Sequence, residues 1–227
     1  MSLVLLGVES FRLRLVAGLE SEFGCAGYQR IAGVDEAGRG CLAGPVVAAA
    51  VVPHPESLIP GVTDSKLVGP AKRGVLAERI RTTALCWSVV AVAPRVIDRV
   101  NILEATKQAM RQALMNLRPR PEMALVDAVP LEVPGLLCLS LVRGDYISYA
   151  IGAASILAKV ARDRIMTELD TKYPHYGFAS HKGYAAPGHL EALREYGPTC
   201  EHRLTFRSVL PAIGGDGHSD SERVHGR

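Results

Sequence analysis

Residues 41 to 52, CLAGPVVAAAVV, form the longest nearly apolar run in the chain, interrupted only by Gly44 and Pro45. A helix needs about 20 such residues to cross a bilayer, so this run cannot span one. It reads instead as a buried strand, and a chain that carries one must build a core to cover it. The 227 residues suffice for one large domain, and 48% hydrophobic with 22% charged residues exclude wholesale disorder, a collagen-like repeat and a coiled coil. Met1 to Val8 lacks the basic region of a signal peptide, and its apolar stretch stops at Glu9. Cys25, Cys41, Cys86, Cys138 and Cys200 are odd in number and widely spaced, with no C-x-x-C pair. A reduced, cytoplasmic setting with no membrane association is expected.

Hydrophobic spacing orders the rest. Val8, Phe11, Leu15 and Leu19 give one face of a short helix that Gly24 and Gly27 end. Ile31 to Asp35 and Pro45 to Val52 read as strands joined through E-A-G-R-G, and Pro53, Pro55 and Pro60 mark a loop. Pro70 suits the first position of a helix, and Trp87 to Val92 reads as a strand. Leu103, Thr106, Met110, Ala113 and Leu117 define a helix over 102 to 117. Met123 to Asp127 and Leu136 to Val142 are apolar enough to suggest strands buried on both faces. A long packing helix is expected from Ile147 to Tyr173, with a stripe through Ile151, Ala154, Ala158, Ala161 and Ile165, and a further helix over Pro187 to Tyr196. Residues 212 to 227 read as a flexible tail. The expected architecture is α/β with a small C-terminal helical subregion.

Four acids stand beside strand signals: Asp35 and Glu36 after I-A-G-V, Asp127 after A-L-V, and Asp145 after L-V-R-G. Carboxylates are hard oxygen ligands, and two divalent cations held by such a cluster can activate water and stabilise a leaving oxygen in phosphoryl transfer. Any one of these acids taken alone is more often an ordinary solvated turn former. Asp35 and Glu36 would diverge on a regular strand, so the strand is expected to break at Glu36, with Gly38 and Gly40 allowing the swing. Of the 26 basic residues, 20 are Arg, whose planar fork suits phosphate, although the formal charge is only +3. Lys159 and Arg162 either line a duplex or lie on a solvated helix face.

The segment V-D-E-A-G-R-G-C-L-A-G-P-V at 34 to 46 resembles the signature of the type 2 ribonuclease H family, bacterial ribonuclease HII. D-S-K at 64 to 66, N-I-L-x-A-T at 101 to 106, V-D at 126 to 127, G-D at 144 to 145, A-A-S-I-L-A-K-V-A-R-D at 153 to 163 and Y-G-F-A-S-H-K-G-Y at 176 to 184 follow in the family's order. The resemblance implies a ribonuclease H-like fold with a central mixed sheet flanked by helices. It divides the chain into an N-terminal helical extension (1 to 27), a catalytic domain (28 to 211) and the tail. It also implies a metal-dependent endonuclease, using Mg²⁺ or Mn²⁺ in a two-metal mechanism. Its partners would be RNA–DNA hybrid and duplex DNA carrying single ribonucleotides, cut on the 5′ side of the ribonucleotide to leave 3′-hydroxyl and 5′-phosphate ends. A monomer is expected.

By the same resemblance, Asp35, Glu36, Asp127 and Asp145 would be the catalytic metal ligands. Gly38, Arg39 and Gly40 would probe the ribose 2′-hydroxyl, the group that separates RNA from DNA. Taken alone, G-R-G is a common tight turn. Tyr184 would pack on the following sugar, or be an ordinary half-buried aromatic. Lys182 would touch phosphate, and Lys66 would either do so or belong to a segment capped by Asp64 and Ser65. His181 is left outside the catalytic set. The chain departs from the family pattern with Cys41 where Pro is frequent, Ala128 where Gly is usual, and Tyr146 where a smaller residue is common. A related two-metal nuclease, or a binding protein with the fold and no chemistry, stand as the alternatives.

Overall fold

The computed structural model describes residues 13 to 210 apart from 14 and 64. Val8, Phe11, Asp64 and the expected tail therefore lie outside the described residues, as does the Lys66 side chain. The described elements run α1 (Gly18–Cys25), β1 (Ile31–Ala37), β2 (Val46–Val52), a 3-10 turn at Ser65–Leu67, α2 (Pro70–Thr83), β3 (Cys86–Val92), α3 (Pro94–Val100), α4 (Ile102–Asn116), β4 (Met123–Asp127), β5 (Leu137–Leu141), α5 (Gly144–Ile147), α6 (Tyr149–Lys172), α7 (Phe178–His181) and α8 (Pro187–Tyr196).

The five strands make one mixed sheet in the order β3-β2-β1-β4-β5. β1 pairs antiparallel with β2, and β2 with β3, while β1–β4 and β4–β5 are parallel. Every residue of β2 is buried, as expected of a strand covered on both faces. Val46, Ala48, Ala50 and Val52 meet Ala109, Met110, Ala113 and Leu114 of α4 on one face. Ala49 and Val51 meet Leu76 and Ile80 of α2 and Ala153, Ala154 and Leu157 of α6 on the other. Each large aliphatic chain taken fully out of water in these layers contributes about 1.5–3 kcal/mol. A smaller cluster of Leu42, Met166, Tyr176, Phe178 and Leu193 ties the C-terminal helical subregion to the far end of α6.

The long helix starts later than its apolar stripe suggests. Ile147 is exposed at the end of α5, and Ser148 caps α6, its hydroxyl accepting from the Ile151 N–H at 3.1 Å. Glu20 of α1 reaches the same terminus, accepting from the Ser148 hydroxyl at 2.6 Å and the Ala150 N–H at 2.9 Å. Where α6 meets β1, Gly33 leaves no room for a side chain: a Cβ there would lie 2.0 Å from the Ala150 carbonyl carbon.

Four expectations need correction. Leu15 is 63% exposed, so the first apolar stripe does not all face the core, and α1 runs through Gly24 to Cys25. Leu103 is exposed on α4. β5 has no fully buried residue, only exposed and half-buried ones, because it is the last strand in the sheet, where one flank has no neighbour. An apolar run does not reveal which strand ends the sheet. Finally, β1 does not break at Glu36 but pairs with β2 through Ala37.

Gly33→Ala sets a Cβ against helix backbone that cannot rotate away. It is expected to cost about 3 kcal/mol or more and to lower Tm by roughly 6–12 °C, read by thermal denaturation.

Candidate active site

β1 and β4 lie side by side and parallel with Val34 opposite Val126. Asp35 and Asp127 therefore emerge at the same end of neighbouring strands, in the same phase of the pleat. Asp35 is buried. Burial, followed by the charges of Glu36 and Asp127, holds its carboxyl well above the ordinary carboxylate range, against hydrogen bonds from Ser155 of α6 and the Glu36 N–H. Asp127 Oδ1 accepts from the Gly144 N–H at 2.7 Å. That bond draws the first turn of α5 to the end of β4 and brings in the buried Asp145. Glu36 Oε1 stands 3.4 Å from Arg39 Nη1.

The four acids predicted from sequence are thus gathered at one end of the sheet by β1, β4 and α5. Their donors are all carboxylate oxygens, the set that suits Mg²⁺ or Mn²⁺. As the side chains stand, no three His, Cys, Asp or Glu among the described residues are arranged to hold a metal ion. Like charges repel within the cluster, and Arg39 and Gly144 engage two of its members.

The G-R-G loop follows directly. Gly38 has φ +94° and lies so close to Arg162 that a Cβ would fall 1.9 Å from Nε, so only glycine fits. At Gly40 a Cβ would meet nothing within 4 Å. Arg162 corrects both sequence readings: it is buried, lining neither solvent nor a duplex, and donates to the carbonyls of Pro45, Ala43 and Lys182 at 3.1, 3.0 and 2.8 Å. Lys159 is paired with Asp163 at 2.6 Å.

Tyr184 is 49% exposed, and Lys182 Nζ donates to Thr167 Oγ1 at 3.2 Å. Lys66 lies on the 3-10 turn. Cys41 is buried beside Arg162, Arg203 and the Tyr184 hydroxyl, and burial pushes its thiol up. Ala128 takes φ +49°, a left-handed conformation that costs a residue with a Cβ about 1–2 kcal/mol and explains why Gly suits the position. Tyr146 is half-exposed beside Asp145. Among the described residues no helix is long and apolar enough to cross a membrane.

Residues 32–209 match the family model described as Ribonuclease HII. The ribonuclease HII of Geobacillus thermodenitrificans is 53% identical over 197 residues, covering 86% of this chain and 75% of the relative. The chain belongs to the ribonuclease HII family. Ribonucleases H are endonucleases, hydrolases of nucleic acid, and the chain is accordingly an enzyme of that class. Among solved structures, the ribonuclease H2 of Pyrococcus horikoshii superposes with a TM-score of 0.70 at 28% identity, covering 81% of this chain and 97% of that one. A ribonuclease HIII crystallised in complex with Mn²⁺ (Bst-RNase HIII) shares the fold, with a TM-score of 0.60 at 18% identity over 83% of this chain and 70% of that one.

For a ribonuclease HII the histidines of the C-terminal segment invite a catalytic or phosphate-binding reading, and the structure gives them other work. His181 Nε2 donates to the Tyr176 carbonyl at 2.7 Å while its Nδ1 accepts from the Gly183 N–H at 3.1 Å, so both ring nitrogens are used. His189 Nδ1 lies 2.7 Å from the Tyr184 carbonyl, which only accepts, so the proton sits on Nδ1. His189 Nε2 must then accept from His202 Nε2, 3.0 Å away, and His202 Nδ1 accepts from the Thr199 N–H at 3.0 Å. Every bond in this chain requires neutral rings. The network fixes the backbone of Gly183 and Tyr184 from beneath, with Tyr176 and Phe178 packed against its rings. Neither it nor the buried Arg162 and Arg203 was legible in the sequence, where no periodic pattern surrounds them.

Burial, reinforced by His189, pulls His202 down from 6.5 to about 4, and burial lowers His189 as well. Between those values the unfolded chain binds a proton that the fold excludes. The contribution is therefore complete above about pH 6.5 and is lost as pH falls towards 4. Asp35, raised rather than lowered, titrates with the opposite sign. Tm followed by calorimetry is expected to show a smaller acid-side fall in His202→Gln than in the wild type, from a lower starting point.

Proposed function

We propose that the chain hydrolyses the phosphodiester on the 5′ side of a ribonucleotide, in RNA–DNA hybrids and at single ribonucleotides embedded in duplex DNA. The products carry 3′-hydroxyl and 5′-phosphate ends, so this cut opens the removal of ribonucleotides from DNA. The observation that carries the reading is the buried Asp35, loaded with the charge of Glu36 and Asp127, beside a glycine loop whose Gly40 has an open flank. A buried carboxyl cluster is costly unless cations or protons compensate it. A polynucleotide brings the phosphate oxygens that complete a magnesium shell.

Asp35, Glu36, Asp127 and Asp145 would hold Mg²⁺ or Mn²⁺. When bound, the two cations supply an activated water and charge stabilisation for the leaving oxygen. The chain's own residues select the substrate. Gly40 lets backbone approach a ribose closely enough to bond its 2′-hydroxyl, while Gly38 makes the turn that presents it. Arg39, on the loop itself, reaches Glu36, with Nη1 3.4 Å from Oε1. Tyr184, half-exposed, would pack on the next sugar, where a deoxyribose without the extra hydroxyl packs best. Lys182 and Lys66 would meet phosphates, which makes affinity fall with salt. The enzyme is read as a cytoplasmic monomer whose catalytic domain spans residues 28 to 211.

Cleavage of a labelled DNA duplex with one ribonucleotide, compared with all-DNA and all-hybrid duplexes, tests the reading. A cut 5′ to the ribonucleotide is expected with Mg²⁺ or Mn²⁺ and none with EDTA. Asp35→Asn should lose about a hundredfold or more in kcat while still binding duplex. Cutting of all-DNA duplex, or full activity in EDTA, would sink the proposal. Gly40→Ala meets no protein atom, so its Tm should hold within about 1 °C. Its kcat/KM on the ribonucleotide substrate should fall about tenfold or more, since the added methyl stands where the sugar must approach.

A further inference from the structure

Arg203 is fully buried, yet no carboxylate hydrogen-bonds its guanidinium among the described residues. Nε donates to the Gly44 carbonyl at 3.1 Å, Nη1 to the Arg39 carbonyl at 2.8 Å, and Nη2 to the carbonyls of Gly38 at 2.7 Å and Gly44 at 2.9 Å. Its main-chain N–H donates to the Leu42 carbonyl at 2.8 Å, and the Gly44 N–H returns to the Glu201 carbonyl at 2.8 Å. The Phe206 ring covers the guanidinium at 5.1 Å. Burial lowers Arg203 to about 10, so it stays charged at neutral pH.

Burying a cation is expensive, and a structural role alone would be met more cheaply by an apolar chain of similar volume. What the cation does here is decide which way peptides face. In a trans peptide the C=O and the N–H point in opposite directions. With the carbonyls of Gly38 and Arg39 turned inward to Arg203, the N–H groups of the same two peptides, those of Arg39 and Gly40, are turned away from it, on the loop whose Gly40 flank is open. Arg162 does the matching work on the other side of the loop, holding the carbonyls of Ala43, Pro45 and Lys182.

We infer that Arg203 is a positioning residue for ribonucleotide recognition: its buried guanidinium sets the orientation of the G-R-G peptides so that their N–H groups face the ribose 2′-hydroxyl. This rests on the proposed reading of G-R-G. Lysine cannot replace it, because one ammonium cannot serve four bonds in a planar fork. Asp98 of α3 holds the same segment from the surface, accepting from the N–H groups of Leu204 at 3.1 Å and Thr205 at 3.0 Å and from the Thr205 hydroxyl at 2.7 Å.

The test measures affinity for a DNA duplex with one ribonucleotide and for the same duplex in all-DNA form, in the Asp35→Asn background so that nothing is cut. Arg203→Lys and, separately, Asp98→Ala are added, with Tm followed for each. Arg203→Lys is expected to reduce the preference for the ribonucleotide duplex about tenfold and leave all-DNA affinity in place. Asp98→Ala should lower the preference by a smaller factor with the fold intact, which keeps the test open if Arg203→Lys does not fold. A preference unchanged in every folded variant, or a parallel loss of both affinities with Tm, overturns the inference and leaves the proposed function standing. A parent protein with no ribonucleotide preference overturns both.

Discussion

The close seating of α6 on β1 is the contact on which the rest of this enzyme depends. At Gly33 the helix backbone occupies the space of a side chain, so strand and helix approach more closely than any other residue would permit. Two positions further along β1, the Asp35 carboxyl is drawn under the same helix and meets Ser155. Two residues before the Ala150 contact, Ser148 caps the helix, and α5 just ahead of it carries Asp145. The spacing between sheet and helix therefore determines how deeply the acidic cluster is buried, and hence how strongly its members feel one another.

Charge is handled in two opposite ways inside the fold. At the strand ends, Asp35, Glu36 and Asp127 are drawn close enough that burial and their mutual repulsion hold the Asp35 carboxyl high. A short distance away, Arg162 and Arg203 are buried with main-chain carbonyls in place of counter-ions. Main-chain carbonyls carry only partial charge, so several are needed for each guanidinium, and gathering them forces the loops at 38–45 and 182–184 into one arrangement. The neutral histidine chain beneath Tyr184 adds a second set of directional bonds to the same segments. The loops at 38–45 and 182–184 are thereby held from below by buried side chains.

Local patterns made most elements readable. Met123–Asp127 and Pro187–Tyr196 stand where apolar runs and a helix-starting proline place them, and the α4 stripe through Thr106, Met110 and Ala113 is buried as its spacing requires. The acids were visible as residues following strand signals, and ordered motifs tied them to one family. Readings failed where a residue's environment comes from distant chain. Arg162 looked like one of two cations on an exposed helix face, because nothing local announces the carbonyls of residues 43, 45 and 182. The continuation of β1 through Glu36 depends on pairing with β2, and the exposure of β5 on its place at the sheet edge.

Sequence by itself determined the alternation of strands and helices, the identity of the four acids and the glycines around Arg39. These are properties of short windows, set by side-chain periodicity and by the backbone freedom of glycine. Only the tertiary structure decided which acids become neighbours, which of the basic residues are buried, and which way the G-R-G peptides face. Those outcomes rest on contacts between residues as far apart in the chain as Gly38 and Arg203, and such contacts exist only once the sheet order and the seating of α6 have closed the core.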